Sequence, residues 1–195
     1  MQVPETFYED LILAIVNGKP LHAAKLLTED ELPSWDDFIA VLDKAARRTY
    51  TQRKNHEPMI NRQINDAIFS DVYRVDVQIE DQDLVNISRL HELWDELRRI
   101  SPGLDSFEPS KVCLDLIGGG PASTRHLEHH SQDFYIQCSG TTDWVIYSDD
   151  RDDAIYGRIT LRPGDGLFIA SNYYYSFSTK TASAGVRYSL KNEEN

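Results

Sequence analysis

The 195-residue chain is short of cysteine, of basic charge and of long apolar runs. Cys113 and Cys138 are its only cysteines, and they form no CxxC-type spacing. Both fall in strand-like stretches, KVCLDL and FYIQCSG, where a buried free thiol is the expected state and a disulfide between two strands the alternative. Lysine and arginine number 20 against 32 acidic residues, a formal net charge of -12. Such a field repels phosphate backbones and anionic lipid headgroups, which argues against nucleic acid or a membrane as the main partner and leaves a small or basic one. No stretch approaches the roughly 20 apolar residues that span a bilayer. The start, MQVPETFYEDL, lacks a basic segment followed by an apolar run, so no secretory signal is expected and the expected location is the cytoplasm.

What is present is enough apolar side chain, 41% of residues, for a real core in one domain with an added helical segment. The first hundred residues read mainly as helices. Residues 4–17 open with Pro4, place Phe7, Leu11, Leu13, Ala14 and Ile15 at mostly helical spacing, and end at Gly18. Ser34 has the character of an N-cap, with Asp36 and Asp37 in the first turn, an apolar stripe of Trp35, Phe38, Ile39, Leu42 and Ala45 behind it, and Arg47 and Arg48 at the far end. A strand is expected at 72–79 and a helix at 84–100, the latter with Leu90, Leu93, Trp94 and Leu97 inward and SPG as its stop.

From about residue 108 the pattern changes to short strands and turn-rich joints: KVCLDLI, DFYIQCSG, TDWVIYSDD, GRITL, GLFIA, YYYSFST and GVRYSLK. Many short strands at regular spacing predict an all-β sandwich or barrel. The expected fold class is therefore α+β, a C-terminal jelly roll over 108–195 with a helical N-terminal region, 1–107, packed on it. GGG at 118–120 is no phosphate loop, because no Lys-Ser/Thr follows, and the aspartates around Arg151 read as a solvated hairpin turn.

Three of the six histidines lie within five positions, in His126-Leu127-Glu128-His129-His130. From Gly120 the spacing resembles the first motif of the cupin superfamily: Gly, five residues, His126, one residue, Glu128, four residues, Asp133, six residues, Gly140. Here Glu128 stands for the second histidine and Asp133 for the glutamate. The second motif is matched in spacing from Gly164, with Ala170, Asn172, Tyr175 and Thr179 at its later signature positions. Within that superfamily, His126-x-Glu128 is similar to the His-x-Asp/Glu of the cupin-like and JmjC-type iron oxygenases, and Gln137-Cys138-Ser139-Gly140-Thr141-Thr142-Asp143-Trp144 aligns with their Gln-x-x-Gly-x-Lys-x-Trp strand.

The resemblance implies a cupin-type jelly roll and a metal-dependent, oxygenase-like enzyme, a dioxygenase acting on a small molecule. Iron or another divalent transition metal would be held by His126 and Glu128, which share one face of a strand. The second-motif imidazole is replaced by Tyr175, and no histidine follows His130, so His130 or Tyr175 is the expected completion of the ligand set; Asp133 is a candidate fourth ligand or an ordinary strand-start aspartate. Catalysis is assigned to His126, Glu128 and Tyr175, and the substrate cavity to Tyr135, Gln137, Thr142, Asn172 and Tyr173. The lysine that the resemblance gives to the 2-oxoglutarate carboxylate is Thr142, which puts 2-oxoglutarate in doubt as co-substrate. Two other readings stay open: a metal-free cupin serving as a binding, assembly or regulatory module, and a metal-free isomerase or epimerase using His126 beside Glu128. A homodimer is a family-based expectation.

Overall fold

The computed structural model describes residues 4–38, 49–51, 74–79, 88–100, 112–117, 131–148, 154–179 and 182–191. Helix α1 spans Glu5–Asn17 and α2 spans Ser88–Ile100. The strands are β1 (Leu21–Ala23), β2 (Thr49–Thr51), β3 (Arg74–Ile79), β4 (Val112–Ile117), β5 (Ser131–Ser139), β6 (Thr142–Tyr147), β7 (Ile155–Leu161), β8 (Gly166–Ile169), β9 (Tyr174–Thr179) and β10 (Ser183–Lys191). They form a seven-stranded sheet, ordered β1-β8-β5-β10-β4-β3-β2, and a three-stranded sheet, β7-β6-β9. The paired strands run antiparallel. The described architecture is thus mostly antiparallel sheet with few helices, as in a jelly roll. No described helix is long and apolar enough to cross a membrane.

Helix α1 begins after Pro4 and stops at Gly18, whose φ of 57° is the left-handed cap conformation. The Gly18 N–H donates to the Ile15 carbonyl at 3.1 Å and the Lys19 N–H to that of Ala14 at 2.9 Å, the paired bonds of a Schellman ending. Phe7, Leu11 and Ala14 bury the inner stripe, whereas Leu13, expected with them, is 58% exposed beside Ile12 and Val16. The reason is angular: position 13 lies two residues from 11, on the opposite side of a 3.6-residue turn. At the next helix start, over residues 35–38, Asp37 does more than meet the dipole: its carboxylate accepts from the Ser34 N–H and hydroxyl, each at 2.7 Å. The stripe residues Ile39, Leu42 and Ala45 lie outside the described residues, as do GGG and the aspartates around Arg151.

All seven C-terminal stretches form strands where expected. In the N-terminal region the strand expected at 72–79 forms as β3, which pairs with β4, while β1 and β2 were not expected: β1 pairs with β8 and β2 with β3, so all three belong to the large sheet. Leu21-His22-Ala23 is too short to show a period of two, and as an edge strand it is held by its partner rather than by its own pattern.

The large sheet is covered on both faces. On one side Phe7, Leu11, Phe38, Leu93, Trp94 and Leu97 meet Phe134, Ile136, Phe168 and Val186. Trp94 stacks on Tyr188 with centroids 5.0 Å apart. Each buried leucine or phenylalanine here contributes roughly 1.5–3 kcal/mol. On the other side Tyr135, Leu167 and Ile169 face Trp144, Ile146, Leu161, Tyr175 and Phe177 of the small sheet.

The turn before β8 ties three segments together. The Gly164 N–H donates to the Gln137 carbonyl at 2.8 Å, and the Gly164 carbonyl accepts from Leu27 at 3.0 Å. The buried Asp165 carboxylate accepts the N–H groups of Lys25 at 2.8 Å and Arg162 at 2.9 Å. Gly164 has φ 90°, and a Cβ there would strike the Leu27 carbonyl. Gly164→Ala is expected to lower stability by about 1–3 kcal/mol through forced backbone shifts, seen as an earlier urea unfolding midpoint.

Candidate functional site

Alternation along β5 sends Phe134, Ile136 and Cys138 to the helix side and Asp133, Tyr135 and Gln137 into the space between the sheets. Opposite stand Thr142 and Trp144 of β6 and Tyr175 and Phe177 of β9, with Arg187 of β10 beside Tyr135 in register. Two polar arrangements result, linked by a block of aromatic rings.

The first centres on Gln137. Its side-chain oxygen accepts from the Thr142 hydroxyl at 2.6 Å and the Tyr135 hydroxyl at 3.4 Å, and its amide donates to the Ser139 carbonyl at 2.6 Å and the Ala184 carbonyl at 3.3 Å. The Trp144 indole N–H donates to the Thr142 hydroxyl oxygen at 2.8 Å. Gln137 and Thr142 are fully buried, so this set of bonds meets the cost of desolvating an amide and a hydroxyl. Gly185 makes the arrangement possible: a Cβ there would collide with the Tyr135 hydroxyl.

Trp144 lies against Tyr135 at 4.9 Å, Tyr175 at 5.2 Å and Phe177 at 4.7 Å between centroids. Beyond it is the second arrangement. The Arg187 Nη1 donates to the Tyr175 hydroxyl oxygen at 3.0 Å, and that hydroxyl donates to the Asp133 Oδ2 at 3.5 Å. Arg187 Nη1 is itself 3.9 Å from Asp133 Oδ2, an ion pair with both side chains buried. Burial makes the pairing obligatory, since neither charge could be left alone in this interior.

The structure therefore brings together Tyr135, Gln137, Thr142 and Tyr175. Asn172 and Tyr173 lie on the turn before β9, where Asn172 is apart from the other four and Tyr173 packs against the aromatic cluster between the sheets. Asn172 is exposed beside Gly18 at the end of α1, and Tyr173 is half-buried with its ring 4.9 Å from that of Tyr156. His126, Glu128 and His130 lie outside the described residues, as does His129. Among the described residues no three His, Cys, Asp or Glu side chains cluster closely enough to hold a metal ion.

Sequence reasoning missed Arg187. Its signal was a lone arginine in the strand GVRYSLK, on the same face as a glycine and flanked by two buried residues, Val186 and Tyr188. Cys138 belongs to the other face: it is a free, buried thiol, and burial pushes its pKa far up, away from nucleophilic use. The Tyr188 hydroxyl is pushed up too, first by burial and then by neighbouring Cys138. A cavity of about 180 Å³ between α1 and β1, lined among others by Phe7, Asp10, His22 and Leu26, is likewise on the helix side of the sheet.

No protein-family model matches the chain, and no curated protein matches it in sequence. Solved structures do match in shape. A structure of YcfD from Escherichia coli superposes with a TM-score of 0.70 at 14% identity, covering 100% of this chain and 55% of that one. YcfD, a ribosomal oxygenase, in complex with cobalt and 2-oxoglutarate gives 0.70 at 16% identity, over 100% and 54% of the two chains. A prolyl hydroxylase from Trichoplax adhaerens, bound to a hypoxia-inducible-factor peptide, gives 0.59 at 10% identity, over 96% and 92%. The chain spans about half the length of the ribosomal oxygenase it matches. At these identities the likeness is one of fold.

Proposed function

We propose that the protein is a metal-dependent, oxygenase-like enzyme of the cupin type acting on a small molecule, with iron or another divalent transition metal held by His126 and Glu128. The observation that carries this reading is the placement of β5. The strand that follows directly on His126-Leu127-Glu128 turns Asp133, Tyr135 and Gln137 into the space between the sheets. A jelly roll shared with oxygenases supports the same class of chemistry. Iron bound there would supply the redox chemistry of dioxygen. The chain's own contribution is a dry, aromatic-walled interior in which Tyr135 and Trp144 exclude water. A homodimer and a cytoplasmic location belong to the same proposal.

Thr142 does not take over a co-substrate carboxylate in this reading. It stands at the lysine position of the resembled strand, carries no charge, and is held between Gln137 and Trp144. Its role is to fasten β5 to β6. Of the donors described, Tyr175 and Asp133 do not fit a metal, because the Arg187 guanidinium already approaches both. This last contact favours a second reading, a metal-free binding or regulatory module on the same jelly roll.

Metal content separates the two. After anaerobic incubation with iron(II) and desalting, about one metal per wild-type chain is expected, held by an imidazole-containing site and lost in His126→Ala. A wild-type protein that retains none would retire the enzyme reading in favour of the metal-free one. For the fastening role, Thr142→Val removes the acceptor of the buried Trp144 N–H, at roughly 1–3 kcal/mol, and leaves the Gln137 oxygen only the longer bond from Tyr135. Urea unfolding followed by tryptophan emission is expected to show that loss, with the folded spectrum shifted where Trp144 is freed.

A further inference from the structure

The resembled motifs align Asp133 with one metal ligand and Tyr175 with another, and the fold places these two side chains 3.5 Å apart across the space between the sheets. They are not waiting for a shared metal. We infer that Arg187 is a built-in cation standing in place of a metal between Asp133 and Tyr175, so that neither residue is a metal ligand in this protein. The inference rests on the motif alignment used in the proposed function, but not on whether His126 and Glu128 bind a metal.

Three observations carry it. Arg187, Asp133 and Tyr175 are each 95% or more buried, at 5%, 3% and 3% exposure, so the charges on the first two have to be balanced locally. The direction of the hydrogen bonds is forced, because a guanidinium only donates. The Tyr175 oxygen accepts from Arg187 Nη1 at 3.0 Å, and its own proton is left to Asp133. A tyrosinate ligand would need the opposite: the proton lost, from a group that ordinarily titrates near pH 10, and the lone pairs turned to a metal. Finally, a metal on the Tyr175 oxygen, at a bond length of about 2 Å, would lie at most about 5 Å from Arg187 Nη1. Two positive centres would then share one water-poor interior, where their repulsion is poorly screened.

The arrangement is also built into the strands. In the β5–β10 register Arg187 faces Tyr135, and Gly185, one inward position earlier, leaves room for the Tyr135 hydroxyl. Asp133 comes from the next inward position of β5, and Tyr175 from the opposing sheet. The cation thus crosslinks β5, β9 and β10 as a metal shared by the two motifs would crosslink their strands.

The test has two arms on the full chain. Cobalt(II) affinity is compared among wild type, Tyr175→Phe and Asp133→Asn, and iron(III) is added in air to look for a visible phenolate band. Affinities within twofold of one another and no such band are expected. A tenfold or greater loss in either variant, or a band that Tyr175→Phe abolishes, overturns the inference while leaving a metal enzyme intact. The second arm compares urea unfolding of Arg187→Met, Asp133→Asn and the double variant. Because Arg187→Met takes the described cation away from a buried carboxylate, the double variant is expected to unfold at higher urea than Arg187→Met alone, and an equal or lower midpoint overturns the inference. If Arg187→Met does not fold, recovery of folding in the double variant is the supporting result. If neither folds, the cobalt and iron arm decides. A wild type that binds no cobalt, with the double variant rescued, upholds the internal cation and removes the oxygenase reading.

Discussion

Because strand β5 is covered on both faces, every side chain from Asp133 to Cys138 has to be matched by something other than water. The apolar half of the strand meets α1 and α2 by size alone. The polar half cannot be satisfied that way, and it determines much of the interior. Gln137 requires Thr142, Ser139 and Ala184; Asp133 requires a cation and a donor, which Arg187 and Tyr175 provide. The two sheets are consequently held in one relative position by directional contacts, with Trp144 and Phe177 filling the space between.

This double coverage explains what was legible in the amino-acid pattern and what was not. The C-terminal strands announced themselves because runs such as DFYIQCS and GLFI are apolar enough for burial and are bounded by turn residues. Helix α2 was legible through Leu93, Trp94 and Leu97, which share one helical face. Strand β1 was not, since three residues at a sheet edge acquire their structure from β8. Motif spacing tracks strand parity, and so it picks out Tyr135, Gln137, Thr142 and Tyr175, which the fold turns into the same space between the sheets. Asn172 and Tyr173 fall on a turn, where parity has no hold: Asn172 is exposed near Gly18, whereas Tyr173 is half-buried against the rings between the sheets and beside Tyr156. Arg187 escaped because its meaning depends on partners 12 and 54 positions away in sequence, Tyr175 and Asp133.

The likeness to a ribosomal oxygenase and a prolyl hydroxylase has the same structure-level character. Identities of 10–16% leave few individual residues shared, yet the superposition extends over nearly the whole chain. What is preserved is the packing of two sheets and the space between them, which sets where functional groups could stand without fixing which ones do. Full coverage of this chain corresponds to about half of YcfD. The prolyl hydroxylase is matched over 92% of its length.

Thr142 and Arg187 together indicate how such a framework changes its electrostatics without changing shape. The resembled strand has a lysine where this chain has Thr142, so one positive charge is missing from β6. The interior of this chain nevertheless contains one, on β10, directed at Asp133 and Tyr175. A buried carboxylate on β5 makes that charge necessary: with Asp133 present and no cation nearby, the strand would bury an unpaired anion at a cost of several kcal/mol. The exchange also sets what ligands the space between the sheets would admit. A guanidinium engaged by an aspartate and a phenol offers an incoming anion weaker attraction than a lysine on its own would. In the function proposed above, recognition at that end of the interior would depend on aromatic shape, through Tyr135, Trp144 and Tyr175, more than on charge.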